Sequence, residues 1–104
     1  MSPIKTLLLE ELRGIEGVED RPSPVAGGTA LFHRGKPFAH FHHDHELDLR
    51  LTRKIIQSRG LKHPPGSVHH AGRSPSSAWI EVRFATAADV PGVVELVRLA
   101  VAQL

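Results

Sequence analysis

Histidine is the residue type in this chain with the clearest capacity for chemistry. The chain has eight histidines, and one short stretch holds His33, His40, His42, His43 and His45. Imidazole accepts or donates a proton near neutral pH and is a common metal ligand. His40 and His42 stand two residues apart in a β-like run, so both side chains are expected on one face of a strand. The spacing therefore predicts metal or acid–base chemistry at this face.

A metal site is the first interpretation of this pattern. The predicted metal ligands are His40, His42 and His70, the last supplied by another strand. Nitrogen and oxygen ligands suit zinc, nickel, copper or iron, so a divalent metal is the candidate cofactor. The chain has no cysteine, which excludes thiolate ligands. No spacing matches a named zinc motif, and His43 or His45 could replace a predicted ligand. The alternative is that these histidines are solvated or hydrogen-bonded side chains on an open sheet face.

Acid–base catalysis is the second interpretation, with His40, His42 and Asp48 as the predicted catalytic residues. His40 and Asp48, on two different strands, would form an oriented base. The alternative is an ordinary cross-strand pair, worth about 0.2–1 kcal/mol. No nucleophile accompanies them, because Ser76 and Ser77 lie in a proline-containing turn without a nucleophile-elbow pattern. The residues therefore indicate no particular reaction.

Hydrophobic periodicity predicts the elements that must position these residues. It predicts a helix from Pro3 that ends at Gly14 or Gly17, a short helix over 53–59, and a C-terminal helix capped by Thr86 or Asp89. The β-like runs are 29–33, 38–43, 46–51, 68–71 and 78–84, with 18–21 as a further short strand. The order α-β-β-β-α-β-β-α indicates an α+β fold with two layers. We expect an antiparallel or mixed sheet of about five strands, with helices packed on one face.

Alternation along these strands predicts a polar face opposite the core. Leu47 and Leu49 face the core, so Asp48 is expected to face away from it. Trp79 falls on the same polar face, where its large ring suits a ligand platform or an interface. We therefore expect a small-molecule ligand, or alternatively a homodimer or partner-protein contact. The predicted ligand-binding residues are His70, Ser77, Trp79, Glu81 and Arg83.

Composition and charge exclude several classes of protein. The chain has 104 residues, which predicts a single domain. Its formal net charge of +2 is too small to indicate a nucleic-acid-binding protein. The bases between residues 50 and 73 are interpreted as a solvated helix face. The sequence shows neither a run of about 20 apolar residues nor a signal peptide, so we expect no membrane segment and a cytoplasmic location.

A set of short motifs resembles the small prokaryotic luciferase-domain proteins. In chain order these motifs are Phe38-Ala39-His40-Phe41-His42-His43-Asp44, Asp48-Leu49, His69-His70, Ser77-Ala78-Trp79 and a helix from Asp89-Val90. The resemblance extends from roughly residue 20 onward, and it implies no defined reaction and no light emission. The positions that match the family motif are His40, His42, Asp48, His70, Ser77 and Trp79. Two features depart from the family pattern. Ala78 stands where a glycine is common, and the additional imidazoles of His43 and His45 look particular to this chain.

Overall fold

The computed structural model describes residues 3–22, 28–43, 45–61 and 78–104. For residues 42 and 43 it describes the backbone only. The helices are α1 (Pro3–Leu12), α2 (Arg53–Ser58) and α3 (Val90–Ala102), and a short 3₁₀ helix (Ala87–Asp89) precedes α3. The strands are β1 (Val18–Pro22), β2 (Thr29–His33), β3 (Lys36–His43), β4 (Glu46–Arg50) and β5 (Trp79–Arg83).

The strands form one five-stranded sheet in the order β1-β2-β3-β4-β5, and every neighbouring pair is antiparallel. This confirms the predicted α+β class, and the sheet formed by the described strands is antiparallel. The run predicted at 18–21 is the edge strand β1. The run predicted at 68–71 lies outside the described residues. No helix in the described part of the chain is both long and apolar enough to cross a membrane.

The turn between β2 and β3 has the backbone that a two-residue hairpin requires. Arg34 and Gly35 have φ angles of 51° and 86°, and the flanking residues His33 and Lys36 pair across the turn. Positive φ at both central positions matches the twist of the two strands. Glycine adopts this conformation at little cost, whereas Arg34 adopts it as the one non-glycine residue with positive φ in the described ranges.

Two bulges interrupt the register of β3. Leu31 pairs with Ala39 and Phe32 with Pro37, so Phe38 is an extra residue relative to β2. At the other end of the strand, the pairing jumps from Phe41–Leu47 to His43–Glu46, which makes residue 42 extra relative to β4. A bulge breaks strict alternation. The expectation that residues 40 and 42 share a face depended on that alternation, and the position of the residue 42 side chain stays a prediction.

The hydrophobic core lies between one face of the sheet and the helices. Full burial of a leucine or phenylalanine side chain stabilises the fold by about 1.5–3 kcal/mol. The core includes Leu8, Leu9 and Leu12 of α1, Leu31, Phe38, Phe41, Leu47, Leu49 and Ile80 of the sheet, and Val93, Val97 and Ala100 of α3. The leucine alternation of β4 and the apolar stripes of the two long helices therefore place these elements as the sequence predicts.

The start of α3 shows how both predicted caps are used. Thr86 caps the 3₁₀ helix, and Asp89 is the N-cap of α3. The Asp89 carboxylate accepts hydrogen bonds from the backbone N–H groups of Ala85, at 2.8 Å, and Thr86, at 3.1 Å. Pro91 then falls in the first turn of α3, where its missing N–H has no partner to lose.

Candidate functional site

The sheet face opposite the core carries a row of residues that lie directly across from one another. Ala30 pairs with His40, His40 with Asp48, and Asp48 with Glu81, across four strands. Opposed residues in an antiparallel sheet project to the same side, with Cβ atoms about 4.5–5.5 Å apart. We call His40, Asp48 and Glu81 the polar row. The structure thus brings together three of the predicted site residues.

The two carboxylates of the polar row are buried. Asp48 is 1% exposed and Glu81 is 2% exposed. The sequence pattern predicts an open, polar sheet face, and at these two positions the structure corrects that expectation. Removing a carboxylate from water costs several kcal/mol unless charges or hydrogen bonds compensate for it. The contacts made by these side chains are therefore important for stability as well as for chemistry.

His40 contacts Asp48 and remains accessible. Its Nε2 atom lies 3.5 Å from Oδ2 of Asp48, and the imidazole side chain is 26% exposed, against 2% for the carboxylate. A carboxylate at Nε2 favours the neutral tautomer that carries its hydrogen there, which makes Nδ1 the basic nitrogen. The structure therefore brings the two side chains into contact, and the acid–base role of these two residues stays a prediction.

Trp79 lies beside the imidazole of His40. The two ring centroids are 6.0 Å apart, and the ring planes are inclined at 46°. In the sheet register Trp79 is opposite Arg50, two residues along β5 from Glu81. The tryptophan is half-buried, and its place in the register puts it on the same sheet face as His40. It is positioned as a wall of any site that includes this imidazole.

Arg83 and Glu46 form a second pair on this face. The Arg83 Nε atom donates to Oε1 of Glu46 at 2.9 Å; the arginine side chain is 43% exposed, and the glutamate side chain is 2% exposed. Arg83 is a predicted ligand-binding residue, whereas Glu46 is absent from the predicted set. Glu46 shares the alternation of Asp48 and Arg50 along β4, and that spacing is the signal that could have found it.

His45 has a contact of its own at the turn between β3 and β4. Its Nδ1 atom lies 3.1 Å from the carbonyl oxygen of Phe84, so Nδ1 carries the hydrogen and donates it. The backbone N–H of Phe84 in turn donates to the carbonyl oxygen of His45 at 3.0 Å. This imidazole therefore joins the turn to the chain after β5.

The remaining predicted residues are not placed by the structure. His70 and Ser77 lie outside the described residues, and of His42 only the backbone is described. Within the described ranges, no three His, Asp or Glu side chains are grouped closely enough to hold a metal ion. The predicted metal set of His40, His42 and His70 therefore stays a prediction.

Fold and site together define a small α+β protein whose polar site is built on the outer face of an antiparallel sheet. A family model described as the luciferase domain matches residues 35–100, which is well over half of the 104 residues. The chain belongs to the luciferase domain family. The matched range begins at the hairpin turn before β3 and includes His40, Asp48, Trp79 and Glu81. Comparisons with curated proteins and with solved structures give no match.

Proposed function

We propose that this face binds a small molecule and that His40 exchanges a proton with it. Asp48 acts as the positioning residue. The observation that carries the proposal is the contact between Nε2 of His40 and the buried Oδ2 of Asp48, with the imidazole still accessible. A positioned imidazole of this kind contributes typically about 10²–10⁴-fold to a reaction that needs proton transfer.

Burial of Asp48 supports this role. A carboxylate that is 2% exposed on a central strand has a fixed position, so it restrains the ring that it contacts. A flexible surface pair would not orient a base in this way, because both side chains would be free to rotate. Rigid support of a reacting group by an adjacent element is what a catalytic or binding site requires.

Trp79 supports binding of a ligand with a flat or apolar part. Aromatic contacts add about 0.5–1.5 kcal/mol beyond the area they bury. A ligand that covers the accessible part of the Trp79 ring would lie within reach of His40, because the two rings are neighbours. Arg83 stands further along the same strand and is exposed enough to contact the polar part of such a ligand.

Metal assistance is the finer form of this proposal. Imidazole and carboxylate groups on one face supply the donor types that a divalent metal prefers, with His40, His42 and His70 as ligands. Elemental analysis of untagged protein, followed by a zinc titration after chelation, tests it. We expect near-stoichiometric metal that is lost in the double variant His40→Ala/His42→Ala. If the protein is metal-free and does not bind zinc with submicromolar affinity, metal assistance is rejected, and the proposal is reduced to binding of an organic ligand.

A small-molecule fragment screen observed by NMR tests ligand binding itself. Compounds that bind the proposed face should shift the NMR signals of Trp79 and His40. In His40→Gln the affinity for these compounds, followed through the Trp79 signals, should fall at least about tenfold. The matched control is His33→Gln, because His33 lies outside the polar row at the end of β2. Equal effects of both substitutions, or no compound that shifts these signals, would reject the proposal.

A further variant, Trp79→Ala, distinguishes the alternative class of function, an interaction module that uses this face for homodimerisation or for a partner protein. In that case Trp79→Ala would change the mass measured by light scattering, since aromatic residues are frequent anchors at interfaces. Under the proposed function, the mass stays the same and only ligand binding is lost.

A further inference from the structure

We propose that a second site, at the end of the sheet where β3 begins and β4 ends, binds a small anion through Lys36 and Arg50. The anion is a phosphate or carboxylate group. The site is a cavity of about 260 Å³ lined by Lys36, Arg50, Leu51, Thr52, Ala78, Gln103 and Leu104. It is separate from the contact between His40 and Asp48 and does not depend on the function proposed for those residues.

Sheet topology brings the two cations together. Lys36 is the first residue of β3 and Arg50 is the last residue of β4. Because these strands are antiparallel neighbours, the start of one and the end of the other lie at the same end of the sheet. Their positions are therefore fixed by backbone pairing, and both side chains line the same cavity.

Neither cation, Lys36 or Arg50, is neutralised by an ion pair with a residue that the structure describes. Among the described arginines, Arg13, Arg21, Arg59 and Arg83 pair with carboxylates, whereas Arg34, Arg53 and Arg98 resemble Arg50 in forming no ion pair with the described residues, so what distinguishes Arg50 is its place beside Lys36 in the cavity. Two cations without acidic partners around one concave surface attract a counter-ion of opposite charge.

Polar groups complete the lining, and the net charge favours an anion. Thr52 Oγ1 accepts a hydrogen bond from the Ile55 N–H at 3.1 Å, which leaves its own hydrogen for donation. The Gln103 amide can also donate. Gln103 is at the C-terminal end of α3, where the helix dipole places about half a negative charge. Leu104 also lines the cavity, and the α-carboxylate of the 104-residue chain brings the opposing charge to about one and a half, which the two full positive charges still exceed.

The cavity volume limits the size of the ligand. Drug-sized ligands occupy pockets of about 300–1,000 Å³, and this cavity of about 260 Å³ is smaller. A phosphate or carboxylate group with a few waters fits this space, since each water takes about 30 Å³. An Arg guanidinium presents two parallel N–H groups to such an anion, and Lys36 adds a point charge.

A titration with inorganic phosphate at constant ionic strength tests this proposal. Trp79 is the single tryptophan and lies opposite Arg50 in the register, so its fluorescence should respond, and the Arg50 backbone amide gives a second NMR readout. We expect saturable binding that Arg50→Gln and Lys36→Gln each weaken about tenfold or more. Acetate as a second probe shows whether phosphate or carboxylate is preferred.

Arg53→Gln is the matched control. Arg53 is an exposed arginine at the start of α2 and does not line the cavity. Its substitution should leave the affinity for phosphate within twofold of the wild type. If phosphate were attracted only by the overall positive charge of the protein, the three variants would lose affinity equally. Equal loss in the three variants, or no saturable response to either anion by both readouts, would overturn the proposal. Lys36 and Arg50 are exposed, and circular dichroism verifies that their variants fold.

Discussion

His40 and Asp48 lie directly opposite each other on β3 and β4, and the Nε2 and Oδ2 atoms are 3.5 Å apart. The carboxylate is buried and the imidazole is partly accessible. Under the proposed function, this difference in exposure would separate the two roles, because a ligand would reach the imidazole ring while the buried carboxylate keeps its orientation.

The tautomer of His40 should report this contact. In the neutral ring we expect the hydrogen on Nε2, since the Asp48 carboxylate faces that nitrogen at 3.5 Å. The ¹⁵N chemical shifts of the imidazole measure the tautomer directly. In Asp48→Leu the population should move toward a mixture of both tautomers, while His33 is unchanged. Hydrogen on Nδ1 in the wild type would contradict this arrangement.

Substitution of Arg83 should destabilise the protein through Glu46. Arg83→Leu removes the guanidinium that donates to the buried Glu46 carboxylate. A buried acceptor that loses a charged partner costs about 1–3 kcal/mol, and we expect about 1–2 kcal/mol because Arg83 is 43% exposed.

Urea denaturation of Arg83→Leu measures this loss in the free energy of unfolding. The control is Arg59→Leu, which breaks a pair with Glu95 in which both side chains are exposed. That pair should be worth less than about 1 kcal/mol. Equal losses in the two variants would show that burial of Glu46 adds nothing to the pair.

Asp89 should make the stability depend on pH. The backbone N–H groups of Ala85 and Thr86 hold the pKa of this carboxyl below its ordinary value. A lowered pKa in the folded state stabilises the protein above the ordinary pKa of about 3.9, and this contribution is lost as the pH falls through the folded-state pKa. The stability difference between the wild type and Asp89→Asn should therefore be larger at about pH 6 than at about pH 3.

Unfolding curves of both proteins at these two pH values measure that difference. A pH-independent difference would show that Asp89 stabilises the helix start by its shape alone. Glu16→Gln is a useful control, because Glu16 is an exposed carboxylate that forms no ion pair with the described residues.

Alanine at two glycines should change stability in opposite directions. An added Cβ meets no atom within 4 Å at Gly35 or at Gly92, so packing does not decide either result. Gly35 has a φ of 86°, and alanine there should cost about 1–2 kcal/mol. Gly92 lies in α3, and alanine should stabilise by about 0.5 kcal/mol.

Thermal unfolding of Gly35→Ala and Gly92→Ala compares the two effects. A stabilising alanine at position 35 would mean that the hairpin turn relaxes to another backbone conformation. If both variants are less stable than the wild type, the start of α3 needs the backbone flexibility of Gly92.

Most elements of the fold could be predicted because their signals are local. The alternation of Leu47 and Leu49 identified β4 and its core face, and the apolar stripes identified α1 and α3. Lys5 was not predictable in the same way. It is buried on α1 with Nζ 4.8 Å from the centroid of the Phe41 ring, and this cation–π contact exists only after helix and sheet have packed.

Along β4 and β5 the sequence alone determined which residues face away from the core, because side chains alternate with a period of two along a regular strand. It did not determine which of them meet. That depends on register, which non-local pairing and bulges decide. Only the tertiary structure placed His40, Asp48 and Glu81 in one row and buried both carboxylates. It also introduced the bulge at residue 42, which strict alternation along β3 could not show.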